Sequence, residues 1–296
     1  MVFGWFKKKK VPTVSVPSFG MQEQIVQIGD QKIAYLQTGP SDRTVVFIHG
    51  NSACKEAFVE QFQAIEKAGY GVLAIDLPGH GGSSDANHPE VDYTIPSYAA
   101  LIAKLCVRLG IENPLLCGWS LGGHIVIEMA AQNSDYSGLM IFGTPPVGPG
   151  PEHLESAFLP SDVSDVTGAE SPPQDRLEAY ITALYGSLEN VPENLVKAGI
   201  RADGLSRTKM FTHWVSGVSG YNQRELVQNW RRPILMLHGA DDVFVSGDYI
   251  KSLDTIGDGS GTSLHIIDGT GHAPFLEAPG KFNELLLELC DRSFQT

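Results

Sequence analysis

The pentapeptide Gly118-Trp119-Ser120-Leu121-Gly122 has the G-x-S-x-G spacing in which a serine can act as a nucleophile. It stands between a short apolar stretch typical of a strand (LLC) and a longer one typical of a helix (LGGHIVIEMAA). Gly118 and Gly122, two positions before and after Ser120, permit a very tight turn, which would hold the serine hydroxyl exposed above the preceding strand. We therefore predict that Ser120 is the nucleophile of an acyl-transfer reaction.

A serine hydroxyl is a weak nucleophile at neutral pH, so it needs a base and an acid that orients that base. His272 lies in a glycine-containing loop, GTGHAP, directly after the last predicted strand, and we predict that it is the base. The acid is expected after the predicted strand ILMLH, where two carboxylates stand side by side. The spacing G-x-x-D from Gly239 favours Asp242, which leaves Asp241 as a solvated turn residue.

Acyl transfer also needs donors for the negative charge that develops on the carbonyl oxygen. One is expected to be the backbone N–H of Leu121, the residue after the nucleophile. The second is expected from the loop HGNS at 49–52, where Gly50 allows the turn and Asn51 supplies an N–H. The alternative is that this loop is only a tight turn.

Other residues that could do chemistry are better explained by structural roles. The loop DLPGHG at 76–81 is predicted to pack beneath the site with His80 as a structural residue, and His124 is predicted to be a hydrogen-bonded core group. The glycines of this loop do not form G-x-G-x-x-G after a strand, so no dinucleotide cofactor is expected. No H-E-x-x-H or H-x-H-x-D-H motif occurs, and we therefore expect no metal.

Short apolar runs alternate with helical patterns along the chain, which is typical of a mostly parallel sheet covered on both faces. Together with the serine turn, this predicts an α/β fold of the α/β-hydrolase type with eight strands. Residues 24–28 and 32–37 are expected to form an antiparallel opening pair. The remaining strands are predicted at 45–49, 71–76, 115–118, 139–142, 234–238 and 264–267.

The alternation is interrupted after the sixth predicted strand. Residues 145–230 contain no clear strand and become helical at 176–186, 193–200 and 207–215. A segment of this length is too long for a loop, so we predict a helical cap over the sheet edge where such folds bind ligands. Residues 1–20 are predicted to be a flexible extension, and 21–144 with 231–296 the hydrolase core. Seven apolar cap residues are expected to enclose a substrate chain: Phe158, Leu159, Tyr180, Leu184, Met210, Phe211 and Trp214.

Composition limits the partners. The 296 residues carry a formal net charge of -13, which argues against nucleic acid as a partner. The start MVFGWFKKKK lacks the order of a secretory signal, and no apolar run is long enough for stable membrane insertion. The four cysteines form no CxxC pair and are expected to be buried and reduced. These observations favour a cytoplasmic location and a small-molecule substrate.

Several motifs together resemble one family, the α/β-hydrolase type of N-acyl-homoserine lactone hydrolase, a metal-independent quorum-quenching lactonase. The motifs DLPGHG and GWSLG are common to the wider fold. Those at 118–125 (GWSLGGHI), 143–147 (GTPPV), 222–227 (NQRELV) and 271–275 (GHAPF) are more specific. The similarity extends from about residue 24 over most of the chain and includes cap segments.

The resemblance implies catalytic roles for Ser120, Asp242 and His272, although members of this type carry glutamate at the position of Asp242. It further implies that Gly50 and Trp119 lie at the substrate pocket. Tyr180, in the segment LEAY, would contact or gate the substrate; alternatively it packs within the cap's own core. The implied activity is opening of the lactone ring through an acyl-enzyme on Ser120.

Three other functions remain open on the same residues. A general carboxylesterase of small acyl esters would differ only in its pocket. A hydrolase of carbon–carbon bonds in ring-cleavage products would share the same serine, histidine and aspartate. A ligand-binding receptor on a hydrolase scaffold would keep these residues but turn substrate over very slowly.

Overall fold

The computed structural model describes residues 22–38, 42–148, 151–186, 191–216, 220–253 and 262–295. The extension predicted at 1–20 lies outside these residues. The described chain contains one eight-stranded sheet, as the sequence predicts. Its strands are β1 (Gln24–Ile28), β2 (Gln31–Gln37), β3 (Thr44–Ile48), β4 (Gly71–Ile75), β5 (Leu115–Trp119), β6 (Gly138–Phe142), β7 (Ile234–Gly239) and β8 (Thr262–Ile267).

The strand order is β1-β2-β4-β3-β5-β6-β7-β8. Strands β3 to β8 are parallel to one another, whereas β1 and β2 form the antiparallel pair that the sequence predicts, and β2 is also antiparallel to β4. The carboxyl ends of β3 to β8 therefore meet at one edge, which is where ligands bind in open sheets of this kind. The loops that follow β3, β5, β7 and β8 carry the predicted site residues to that edge.

In the described ranges, seven helices outside the segment between β6 and β7 pack around the sheet. They are α1 (Val59–Lys67), α2 (Pro89–Asp92), α3 (Ile95–Arg108), α4 (Leu121–Gln132), α10 (Gly247–Leu253), α11 (Pro274–Glu277) and α12 (Pro279–Phe294). Alternate side chains of β3 enter two separate cores: Val46 and Ile48 pack with α3 and α4, whereas Val45 and Phe47 pack with α1 and α12. Because both faces of the sheet are covered, its central strands are apolar throughout.

The segment between β6 and β7 is helical, with a single isolated bridge from Phe158 to Val245 among its described residues. Its helices are α5 (Pro151–Ala157), α6 (Gln174–Leu184), α7 (Glu193–Arg201), α8 (Gly204–Val215) and α9 (Gln223–Asn229). The helices α5 to α9 and their connections form the cap.

All four cysteines are buried and free, as the sequence predicts. Among the residues that the structure describes, no helix is long and apolar enough to cross a membrane.

Candidate active site

Ser120 occupies a strained turn between β5 and α4. Its backbone has φ 53° and ψ −118°, a region that non-glycine residues rarely adopt and that commonly marks functional sites. A Cβ atom at Gly118 would lie 2.2 Å from the Gly122 carbonyl oxygen, and one at Gly122 would lie 2.0 Å from the Ile48 oxygen. Only glycine fits at either position, which is the physical reason for the G-x-S-x-G pattern.

His272 and Asp242 form a short hydrogen bond at the same sheet edge. The distance from His272 Nδ1 to Asp242 Oδ2 is 2.8 Å, and both side chains are buried. A carboxylate can only accept, so Nδ1 carries the proton and Nε2 is left as the basic nitrogen of the ring. Ser120 and His272 line one cavity, so the structure brings the predicted nucleophile and base together.

The other carboxyl oxygen of Asp242 is held by the backbone. Its Oδ1 accepts from the N–H groups of Phe244 at 2.8 Å and Val245 at 3.1 Å. Burial alone would raise the pKa of Asp242, but the charge and hydrogen bond of His272, with the Phe244 N–H, lower it below its usual value. Asp242 is therefore ionised at neutral pH, whereas Asp241 is exposed to solvent, as a turn residue would be.

Trp119 contacts both the backbone and the ring of His272. Its indole Nε1 donates to the His272 carbonyl oxygen at 2.7 Å, and the two ring centroids are 5.7 Å apart. The side chain is fully buried, also packs on Phe275, and is not part of the cavity wall. The sequence-based expectation that Trp119 lies at the substrate pocket needs correction, because β5 directs its ring into the core beneath His272.

The loop after β3 approaches the nucleophile closely. A Cβ atom at Gly50 would lie 3.1 Å from Ser120 Cβ, a tight contact that favours glycine at this close approach. In the part of the chain that the structure describes, the backbone N–H groups of Asn51 and Leu121 donate to no protein acceptor. This leaves both available for the oxyanion role that the sequence predicts for them.

Two neutral histidines stabilise that loop, His49 within it and His80 beside it. His80 Nε2 accepts from the Ser52 N–H at 3.2 Å, and His49 Nε2 accepts from the Leu77 N–H at 3.0 Å. Burial lowers the pKa of His49 to about 4 and that of His80 to about 3. Ser52 itself has a positive φ of 54°. The structural role predicted for His80 is thus the support of a strained loop beside the nucleophile.

A buried ion pair ties this loop to the strand beside it. Asp76 Oδ2 lies 2.7 Å from Lys55 Nζ, and Asp76 Oδ1 accepts from the Lys55 N–H at 2.8 Å. Gly82 N–H donates to the same carboxylate at 2.7 Å. The loops after β3 and β4 are therefore linked through a single carboxylate.

The cap contacts the oxyanion loop through polar groups. Asn51 Nδ2 donates to the Thr167 carbonyl oxygen at 3.1 Å and to the Tyr180 hydroxyl oxygen at 3.3 Å. Burial raises the pKa of Tyr180 to about 12, so its hydroxyl is neutral. Because Tyr180 also lines the cavity, the structure places it where a substrate contact is possible.

Arg207 of α8 is a buried cation that sequence reasoning missed. Its guanidinium donates to the carbonyl oxygens of Ala169 at 2.9 Å and Glu170 at 3.2 Å, and to Ser52 Oγ at 3.3 Å. Burial lowers the pKa of this guanidinium below its usual value. Its position in a helix-period pattern resembles that of any surface arginine, so the sequence carries no signal for this role.

A cavity of about 510 Å³ opens beside Ser120 and His272. The cap supplies most of its apolar wall, including all seven side chains that the sequence analysis assigned there: Phe158, Leu159, Tyr180, Leu184, Met210, Phe211 and Trp214. In the described chain, Glu155 is the only carboxylate on the cavity wall, and no lysine or arginine lines the cavity. The cavity therefore suits an uncharged, largely apolar substrate.

Within the described ranges, no three His, Cys, Asp or Glu side chains are grouped so that they could hold a metal ion. The chemistry that this arrangement supports is acyl transfer by a serine, with a neutral imidazole as base and an ionised carboxylate behind it.

Comparison with protein families supports this chemistry. A model described as "Alpha/beta hydrolase family" matches residues 45–285. The chain belongs to the alpha/beta hydrolase family. The family and the lactonase neighbour identify it as a hydrolytic enzyme acting on esters.

Three proteins illustrate the range of similarity. A solved structure of the N-acyl homoserine lactonase AidH, complexed with N-hexanoyl homoserine, is 33% identical with a TM-score of 0.84, and the match covers 93% of this chain and 98% of that one. A 2-hydroxy-6-oxononadienedioate/2-hydroxy-6-oxononatrienedioate hydrolase of Burkholderia vietnamiensis is 24% identical over 90% of this chain and 94% of its own length. A putative aryl esterase from Burkholderia cenocepacia, 20% identical with a TM-score of 0.78 over 93% of this chain and 100% of that one, shares the fold.

Proposed function

We propose that this enzyme opens the lactone ring of N-acyl-homoserine lactones through an acyl-enzyme on Ser120. The observation that carries the proposal is the 33% identity to AidH over 93% of this chain, cap included. Structures of AidH hold N-hexanoyl homoserine, N-butanoyl homoserine and N-hexanoyl homoserine lactone. The largely apolar cavity next to Ser120, which has no lysine or arginine on its described wall, supports a substrate of this kind.

The proposed reaction begins when Ser120 Oγ attacks the ring carbonyl carbon and His272 Nε2 accepts the hydroxyl proton. The N–H groups of Asn51 and Leu121 donate to the oxyanion of the tetrahedral intermediate. The ring C–O bond then breaks, and the leaving alkoxide receives the proton from His272. This alkoxide stays attached through the carbon skeleton, so the acyl-enzyme retains the whole substrate.

In the second half of the reaction, water attacks the same carbonyl carbon while His272 accepts one of its protons. The bond to Ser120 Oγ breaks and the serine recovers its proton from His272. Asp242 keeps the imidazole in the orientation and tautomer that both halves need. The product is N-acyl-homoserine, with its amide intact.

A hydrolase of carbon–carbon bonds is the second candidate, because curated relatives at 24–26% identity are named 2-hydroxy-6-oxononadienedioate/2-hydroxy-6-oxononatrienedioate hydrolases. The substrates in those names are dioates, which bear two carboxylates. The described cavity wall offers no arginine or lysine to pair with them, and its one carboxylate would repel them. This charge distribution favours the lactone over the dioate.

The test is incubation with N-hexanoyl-homoserine lactone in the presence of a chelator, followed by mass spectrometry of the product. We expect a gain of one water with the amide intact. Release of free homoserine lactone and hexanoic acid would instead identify an acylase. Absence of turnover, with p-nitrophenyl butyrate cleaved rapidly, would contradict the proposal and identify a general carboxylesterase.

A further inference from the structure

His124 is a polar side chain on an otherwise mostly apolar part of the cavity wall. It lies in α4, one helical turn after the nucleophile, and its backbone N–H donates to the Ser120 carbonyl oxygen at 3.3 Å. Its ring packs on Trp214 with centroids 4.4 Å apart and faces Phe158 at 6.3 Å. The sequence analysis expected a hydrogen-bonded core group, but this residue also borders the cavity.

One ring nitrogen of His124 is fixed by the cap. Nδ1 lies 2.7 Å from Gln223 Oε1 in α9. An amide oxygen can only accept a hydrogen bond, so Nδ1 carries the proton and Nε2 is an acceptor. Burial lowers the pKa of His124 to about 4, and the ring therefore keeps this neutral form at neutral pH.

The second ring nitrogen is unused within the protein. In the described chain, Nε2 makes no hydrogen bond and is not fully enclosed by protein atoms. A histidine with a purely structural role in the core would have both ring nitrogens hydrogen-bonded or fully enclosed by protein. The geometry is instead that of an acceptor presented to the cavity.

We propose that His124 Nε2 accepts a hydrogen bond from the amide N–H of an N-acyl-homoserine lactone and thereby selects amide-bearing lactones; this rests on the function proposed above. The amide nitrogen is two bonds from the carbonyl carbon that Ser120 attacks. His124 follows Ser120 by one helical turn, and both side chains line the same cavity, so one substrate can contact the acceptor and the nucleophile together.

The N–H is the single hydrogen-bond donor of an unsubstituted N-acyl-homoserine lactone. In an apolar cavity, a donor without a partner loses its interaction with water and gains nothing in return. An acceptor at this point stabilises the amide substrate but not an otherwise matched lactone in which oxygen replaces the N–H group. We expect His124 to make the amide substrate about ten- to hundredfold better than its oxygen analogue.

The experiment compares kcat/KM for N-hexanoyl-homoserine lactone and α-hexanoyloxy-γ-butyrolactone, its ester analogue. The wild-type ratio of amide to ester should be at least about ten. In His124→Phe this ratio should fall to about one, mainly because the amide substrate is lost, and His124→Gln, which retains an acceptor, should recover part of it. Leu159→Ala serves as the matched control, since it changes the apolar wall and should leave the ratio unaltered.

Each outcome decides between two claims. A wild-type enzyme that opens neither lactone contradicts the proposed function, and this inference with it. An enzyme that opens both equally well, or a His124→Phe variant that loses both in the same proportion, overturns the role of His124 and leaves the lactonase function standing. If His124→Phe does not fold, His124→Gln and the shorter His124→Asn decide: retained selectivity in the first and its loss in the second support the inference, and equal ratios overturn it.

Discussion

Replacing Asp242 with asparagine should disable the base without disturbing the shape of the site. Oδ1 of Asp242 is already held by the N–H groups of Phe244 and Val245, at 2.8 and 3.1 Å. The oxygen of an asparagine must occupy that position, because an NH₂ group there would face two donors. Its NH₂ group would then lie where Oδ2 now stands, 2.8 Å from His272 Nδ1.

A donor at that position reverses the histidine tautomer. Nδ1 would become the acceptor, and the proton would move to Nε2, the nitrogen that must accept the proton of Ser120. Loss of the correct tautomer in a serine triad lowers kcat by about 10⁴, or about 5.5 kcal/mol of transition-state stabilisation. We expect a loss of that size for Asp242→Asn with p-nitrophenyl butyrate at pH 7.5.

Asp241→Asn is the matched control, because this neighbouring carboxylate is exposed to solvent. It should retain activity within about threefold of wild type. Thermal unfolding of both variants shows whether the fold is kept. If Asp242→Asn stays within about tenfold of wild type, or if Asp241→Asn loses as much activity, the reasoning about the acid is wrong.

Three further predictions concern the cap and the loop beneath the site. Tyr180→Phe should raise KM for N-hexanoyl-homoserine lactone about fivefold or more, since the Asn51 side chain and the substrate lose a hydroxyl partner. An unaltered KM would indicate that Tyr180 only packs within the core of the cap. Arg207→Met should lower the free energy of unfolding in urea by about 2–4 kcal/mol, because buried acceptors are left unpaired. The control Arg201→Met, at a half-exposed ion pair, should lower it by less than about 1 kcal/mol. Equal losses in the two variants would contradict this prediction. His49 and His80 are buried neutral, so the unfolded chain takes up protons first as pH falls below about 6.5. Proton uptake by each histidine in the unfolded chain therefore lowers the free energy of unfolding by about 2 kcal/mol between pH 7 and pH 5. A urea midpoint that is the same at these two pH values would contradict their neutral burial.

The sequence predicts eight strands, a mostly parallel sheet with an antiparallel opening pair, and the positions of Ser120, Asp242 and His272. These features can be predicted because they depend on short-range patterns. The serine turn needs glycine at two fixed offsets, and the acid and base each follow directly after an apolar strand. Strand ends shift slightly, as in β8, which begins at Thr262 rather than residue 264.

What the sequence does not reveal depends on contacts between distant segments. Trp119 turns into the core because β5 packs above Phe275, which follows much later in the chain. The roles of Arg207 and His124 depend on partners in other elements, Ser52 in the loop after β3 and Gln223 in α9. Neither residue belongs to a short motif that states its partner.

The most direct test of the account is intact-protein mass spectrometry of the enzyme, acid-quenched during turnover of N-hexanoyl-homoserine lactone. Ring opening keeps the leaving alkoxide attached, so the account predicts an adduct with the full mass of the substrate. Peptide mapping should place it on Ser120, and it should be absent from Ser120→Ala. An adduct with the mass of the hexanoyl group alone, or turnover retained within about tenfold by Ser120→Ala, would contradict the central claim.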